Sequence, residues 1–78
     1  MNLVENAIVS VFPTVDVDEL SRQTVLGLLP GWDSMNAINL EIEIESAVGR
    51  TGLGIVLTDK TTVQDVILEL GKRGVALG

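Results

Sequence analysis

Ser34 is the residue of this 78-residue chain whose setting is most suggestive of chemistry. It stands in Gly31-Trp32-Asp33-Ser34-Met35, where a turn-forming glycine leads into an Asp-Ser pair and an apolar residue follows. Asp and Ser are favoured at helix starts, where their oxygens satisfy the unpaired N–H groups of the first turn. A helix start also carries the positive end of the helix dipole, so an anionic group joined to such a serine would be electrostatically favoured. The serine has no obvious base to activate it, because the chain contains neither His nor Cys. That excludes a Ser-His-Asp relay, a thiolate nucleophile, disulfide staples and Cys/His zinc sites. A hydrolase or transferase using Ser34 as its own nucleophile is therefore disfavoured, and the expected protein is not an enzyme. The plainest role of Asp33 and Ser34 is capping alone.

Acidic side chains are the second feature. Asp33, Glu41, Glu43 and Glu45 place four of the eleven acids within thirteen residues, with no Lys or Arg between them. Five basic against eleven acidic residues give a net charge of −6, a field that repels phosphate backbones and anionic lipid surfaces. Nucleic acid is not an expected partner. With 46% hydrophobic and 21% charged residues, the composition is that of a folding sequence, and 78 residues allow one domain, 1–78. Phe12 and Trp32 are the only aromatic residues, so the core must be aliphatic. No apolar run is long enough to span a membrane, and Met1-Asn2-Leu3-Val4-Glu5 lacks the basic start of a secretory signal. These features predict a cytoplasmic monomer without membrane insertion.

The elements that must position Ser34 are read from periodicity. Asn2 with Glu5 resembles a capping box, and Val4, Ala7, Ile8 and Val11 recur at helical spacing, predicting a first helix over 2–12 that ends at Pro13. From Pro13 to Asp33 the chain is loop-like yet studded with apolar residues, which predicts a segment lying across the core with a helical turn near Asp18 to Gln23. Within it, Leu28 and Leu29 are read as core residues in preference to a docking patch. Val63, Val66, Ile67 and Leu70 predict a last helix over 61–73, with Thr61 and Gln64 as its capping box, a Glu69–Arg73 pair and Gly74 as terminator.

The middle segment is ambiguous, because Ile38, Leu40, Ile42 and Ile44 alternate with Asn39, Glu41, Glu43 and Glu45 as in a half-buried strand. Against a strand stand three Glu residues, an unbroken stretch from Ser34 to Val48, and Gly49 at a C-cap position. On a helix, Met35, Ile38 and Ile42 form one apolar stripe, and Ala37, Leu40, Ile44 and Val48 another, with Glu41 and Glu45 between them. Such a helix is gripped between neighbours or keeps an apolar face for a partner.

Taken together, Gly31-Trp32-Asp33-Ser34-Met35, the apolar positions Ile38, Leu40 and Ile44 with Glu45, and the Thr62-Val63/Asp65-Val66 opening resemble the acyl carrier protein family. The order of helix, long apolar-studded loop, Ser-led acidic helix and final helix extends that resemblance over essentially the whole chain. It implies an all-α fold, a small bundle of three to four helices with the second near 34–48. It implies that Ser34, preceded by Asp33, is esterified with 4′-phosphopantetheine by a phosphopantetheinyl transferase. The protein would then be a freestanding phosphoprotein carrier in lipid, polyketide or related biosynthesis, holding an acyl group as a thioester. Acyl-loading, acyl-modifying and acyl-accepting enzymes would be its partners, meeting Met35, Glu41, Ile42, Glu43 and Glu45. Three positions differ from the family pattern. Asn39 stands where a Glu is common, Glu41 stands at a position usually apolar, and 51–57 is too rich in Gly and β-branched residues for the family's short third helix. The alternative from another class is an unmodified acidic helical module docking on a basic protein surface.

Overall fold

Residues 2–75 are described by a computed structural model of the chain. Asn2 and Glu5 cap each other reciprocally and start α1, Leu3–Val11. Phe12 closes it, and Pro13 follows. The strand-like middle segment is helix α2, Ser34–Val48, ended by Gly49 in the left-handed conformation at φ 81°. A third helix, α3, spans Val63–Lys72. Among the described residues there is no β-strand, only an isolated antiparallel bridge between Val25 and Thr62. The fold is a small all-α bundle. Residues 50–60 contain no helix, so there is no short fourth helix there.

Why α2 is a helix despite its alternation is plain from burial. Leu40 and Ile44 are completely buried, Ala37 and Val48 partly so, while Met35, Ile38 and Ile42 are more than half exposed. Only a helical path, at about 100° per residue, separates these two stripes. A strand would have put Ile38, Leu40, Ile42 and Ile44 on one face. Helix α1 packs most extensively on α2 and less on α3. Val4, Ile8 and Phe12 meet Leu40 and Ile44, with Val63, Val66 and Leu70, in one cluster.

The start of α3 differs from the sequence expectation. Its capping box is Thr62 with Asp65, at 3.1 and 3.0 Å, not Thr61 with Gln64. Thr61 is occupied in the preceding turn, where its hydroxyl accepts the Thr58 N–H at 2.9 Å and its carbonyl accepts the Leu26 N–H at 2.8 Å.

Tertiary contacts also reorganise the long loop. Its helical turns are 3-10 turns at Val17–Glu19 and Leu26–Leu28, in place of one turn near Asp18 to Gln23. Leu26 and Leu29 are buried, but Leu28 is 82% exposed, because three residues per 3-10 turn put Leu26 and Leu29 together on the inner face. The loop is tied to the start of α3 by a run of main-chain bonds. Gln64 N–H donates to Arg22, Val63 N–H to Thr24, Leu26 N–H to Thr61, and Gly27 N–H to Asp59.

That last contact requires glycine. A Cβ at Gly27 would lie 2.3 Å from the Asp59 carbonyl oxygen, a main-chain atom that can retreat only if the α3 start moves with it. Gly27→Ala is expected to destabilise the fold by about 1–3 kcal/mol, the range for overpacking a fitted site. Chemical denaturation measures this, and an unchanged midpoint would mean that the loop and the α3 start part easily.

Candidate functional site

Gly31, with φ 87°, makes the turn that delivers the chain to α2. Trp32 is held there by its ring, stacked on Phe12 with centroids 6.2 Å apart and planes 20° from parallel, and by its main-chain N–H, which donates to the Leu29 carbonyl. Asp33 is the N-cap, and its Oδ1 accepts the Asn36 N–H at 2.7 Å. Asn36 returns the bond, donating from Nδ2 to the Gly31 carbonyl at 2.8 Å. The turn and the first helical turn are thus locked to each other. Ser34 is the first residue of α2 and is exposed. Its hydroxyl makes no hydrogen bond among the described residues, and the N–H groups of Ser34 and Met35 likewise have no acceptor there.

Ser34 lines an open cleft of about 670 Å³. One wall is α2, through Ser34, Ala37, Ile38 and Glu41, and the other is the strap 54–59, with Trp32 also lining the cleft. The strap has no helix to hold it, and side chains do so instead. Glu45 Oε2 accepts the Leu53 N–H at 3.0 Å. Arg73 donates from Nε to the Leu53 carbonyl and from Nη2 to the Gly54 carbonyl at 3.4 Å. Ile55 then drops into the core, 3% exposed. Arg73 is itself held by Glu69, from Nη1 to the carboxylate at 2.7 Å and to the main-chain carbonyl at 2.9 Å. Arg50 donates to the Arg73 carbonyl at 2.7 Å.

The structure separates acids that are neighbours in sequence. Asp33 caps, Glu41 lines the cleft, Glu45 holds the strap, and Glu43 lies on the other side of α2, accepting a long 3.5 Å bond from Ser10 of α1. The exposed stripe of Met35, Ile38 and Ile42 runs between Glu41 and Glu45 on one side and Glu43 on the other. Asn39 is exposed and donates to the Asn36 side chain at 3.3 Å. Among the described residues, no group of three or more His, Cys, Asp or Glu side chains is placed to hold a metal ion, and no helix is long and apolar enough to cross a membrane. Sequence reasoning paired Glu69 with Arg73 but missed Arg73 as the clamp on the strap, and it read Glu45 as a surface acid. No signal in the local sequence marks either role, since both join segments distant along the chain. Compared with known protein families, curated proteins and solved structures, the chain has no match.

Hydrogen bonds from Arg73, and then from Lys72, hold the Glu69 carboxyl below its ordinary value. An acid whose folded-state pKa is depressed stabilises the fold above its unfolded value and loses that contribution as pH falls through the folded one. The brace on Arg73 is therefore complete at neutral pH and released below the ordinary carboxylate range. Stability is expected to fall across that acid window, with Glu69→Gln flattening this part of the profile by a small amount, as befits a half-exposed pair. Thermal unfolding of both proteins across a pH series measures it, and coincident profiles would remove Glu69 from the brace.

Proposed function

We propose that the protein is a carrier, bearing a 4′-phosphopantetheine group on Ser34 and presenting an acyl or similar carboxylic cargo to partner enzymes. The observation that carries this reading is the exposed, unbonded hydroxyl of Ser34 at the first position of α2, in the Gly31 to Met35 setting, beside an open cleft.

The residues present fit that group. The two N–H groups of Ser34 and Met35 have no protein acceptor among the described residues, and they face the end of the helix where a phosphodiester is favoured. Asp33 keeps the helix start in register without using the Ser34 hydroxyl, because its carboxylate bonds to Asn36. When attached, the group supplies a terminal thiol on which cargo is carried as a thioester, which suits a chain with no cysteine of its own. The chain's part is to fix the attachment point, shield one side of it with Trp32 and the strap, and offer a surface for recognition. Met35, Ile38 and Ile42 would give apolar contact there, with Glu41 and Glu43 at its edges steering Lys/Arg-bearing partners, the phosphopantetheinyl transferase and acyl-loading, acyl-modifying and acyl-accepting enzymes. That same exposed stripe supports the second reading, an acidic docking module with no chemistry at Ser34.

Intact mass after incubation with coenzyme A and a broad-specificity transferase is expected to rise by one phosphopantetheine, and Ser34→Ala should abolish the gain while keeping the helical spectrum. An unmodified wild type, beside a control carrier that is converted, would leave the docking module as the reading.

Recognition has its own test. Glu43 is the position to reverse, since Glu45 also holds the strap. Glu43→Lys is expected to lower the transferase kcat/KM a few-fold, of the order that an exposed charge pair of ~1 kcal/mol supports, and the difference should shrink as salt rises. Equal rates at low salt would assign recognition to the apolar stripe alone.

A further inference from the structure

The strap's main chain is a feature of the cleft that the functional reading leaves unused. Along it burial alternates: Leu53, Ile55 and Leu57 turn inward, whereas Gly54, Val56 and Thr58 are exposed. Gly54, at φ 69°, turns the chain, and from Ile55 to Thr58 the alternation is the period of an extended chain, in which neighbouring side chains point to opposite sides. All six residues from 54 to 59 nevertheless line the cleft that Ser34 lines. Alternating side chains cannot all reach one side, so the main chain itself forms part of the wall.

Both ends of the strap are fixed. Leu53 is held by Glu45 and Arg73, and the Thr58 N–H donates to the Thr61 hydroxyl at 2.9 Å. Between those ends, the N–H and C=O groups of Ile55, Val56 and Leu57 make no hydrogen bond among the described residues. An extended stretch with unpaired main-chain groups is a sheet edge in miniature, and such edges bind other extended, amide-bearing chains by main-chain pairing. A pre-fixed edge gives up little further freedom when it does so.

Resting on the carrier reading, we infer that Ile55–Leu57 are a docking edge for the prosthetic arm, whose two amide groups pair with the strap's free N–H and C=O groups. The arm then lies along the cleft from Ser34 in place of extending into solvent. The recognition is by amides, so it is indifferent to the cargo and operates before any cargo is loaded.

The experiment compares the full-length isotope-labelled protein before and after Ser34 is loaded from coenzyme A, and after loading from an analogue whose arm has methylenes in place of the amides. Mass spectrometry confirms each loading, and amide hydrogen exchange by nuclear magnetic resonance is the readout. With the natural arm, exchange at Ile55, Val56 or Leu57 is expected to slow by about three- to tenfold, the factor that one net hydrogen bond supplies. The methylene arm should leave it unchanged. Loading that alters only residues around Ser34, or equal slowing by both arms, would overturn the docking edge while leaving the carrier reading intact. Failure of Ser34 to load, with a control carrier converted, would overturn both.

Discussion

Both main-chain polar groups of Leu53 are bound by charged side chains, the N–H by Glu45 of α2 and the C=O by Arg73 at the end of α3. A partly buried peptide group needs partners, and Leu53, in a segment with neither helix nor sheet, finds them among side chains. Here they come from two different helices, so one residue joins α2, the strap and α3. The wall facing Ser34 follows directly on that junction, with Ile55, two residues on, seated in the core. Glu69 extends the same network by fixing the guanidinium that does the holding.

The second organising constraint is the division of α2 into faces. Its inner stripe, centred on Leu40 and Ile44, is fully buried against the rest of the core. Its outer stripe of Met35, Ile38 and Ile42 is left to water at a cost the inner packing must offset. Ser34 and Glu41 lie on the flank toward the strap, and Glu43 lies on the flank toward α1. A single helix thereby supplies the core, the attachment point, one wall of the cleft and an apolar surface. The 3-10 turns of the long loop add a comparable economy, burying Leu26 and Leu29 while Gly27 brings the loop into contact with the chain before α3.

Much was legible in the residues alone where the physics is local. The Asn2–Glu5 box, the Glu69–Arg73 pair and Gly49 as the end of α2 each involve partners within one or two helical turns, so spacing suffices to identify them. The irregularity of 51–57 follows likewise from residue type, but the alternation leaves 34–48 balanced between strand and helix; its helical state and the all-α class were implied by the family resemblance, and the burial of one stripe in the fold decides for a helix. Ser34 at a helix start belongs here too, whereas the exposure of Met35 and Ile42 was decided by the fold, since the sequence left that stripe either gripped by neighbours or free.

What only the tertiary structure decided lies at contacts between distant segments. Thr61 and Thr62 offer equally good caps in sequence, and the choice fell to Thr62 because Leu26 and Thr58 already engage Thr61. Leu28 is as apolar as Leu29, yet the pitch of a 3-10 turn against the core exposes one and buries the other. The run of acids reads as one surface, but α2 rotates Glu43 away from Glu41 and Glu45, and the strap takes Glu45 as its anchor. Composition and spacing determine which elements form, because hydrogen bonding and periodicity act within a few residues. Which side chain then serves as cap, clamp or surface depends on what the fold brings beside it, and that is set by packing across the whole chain.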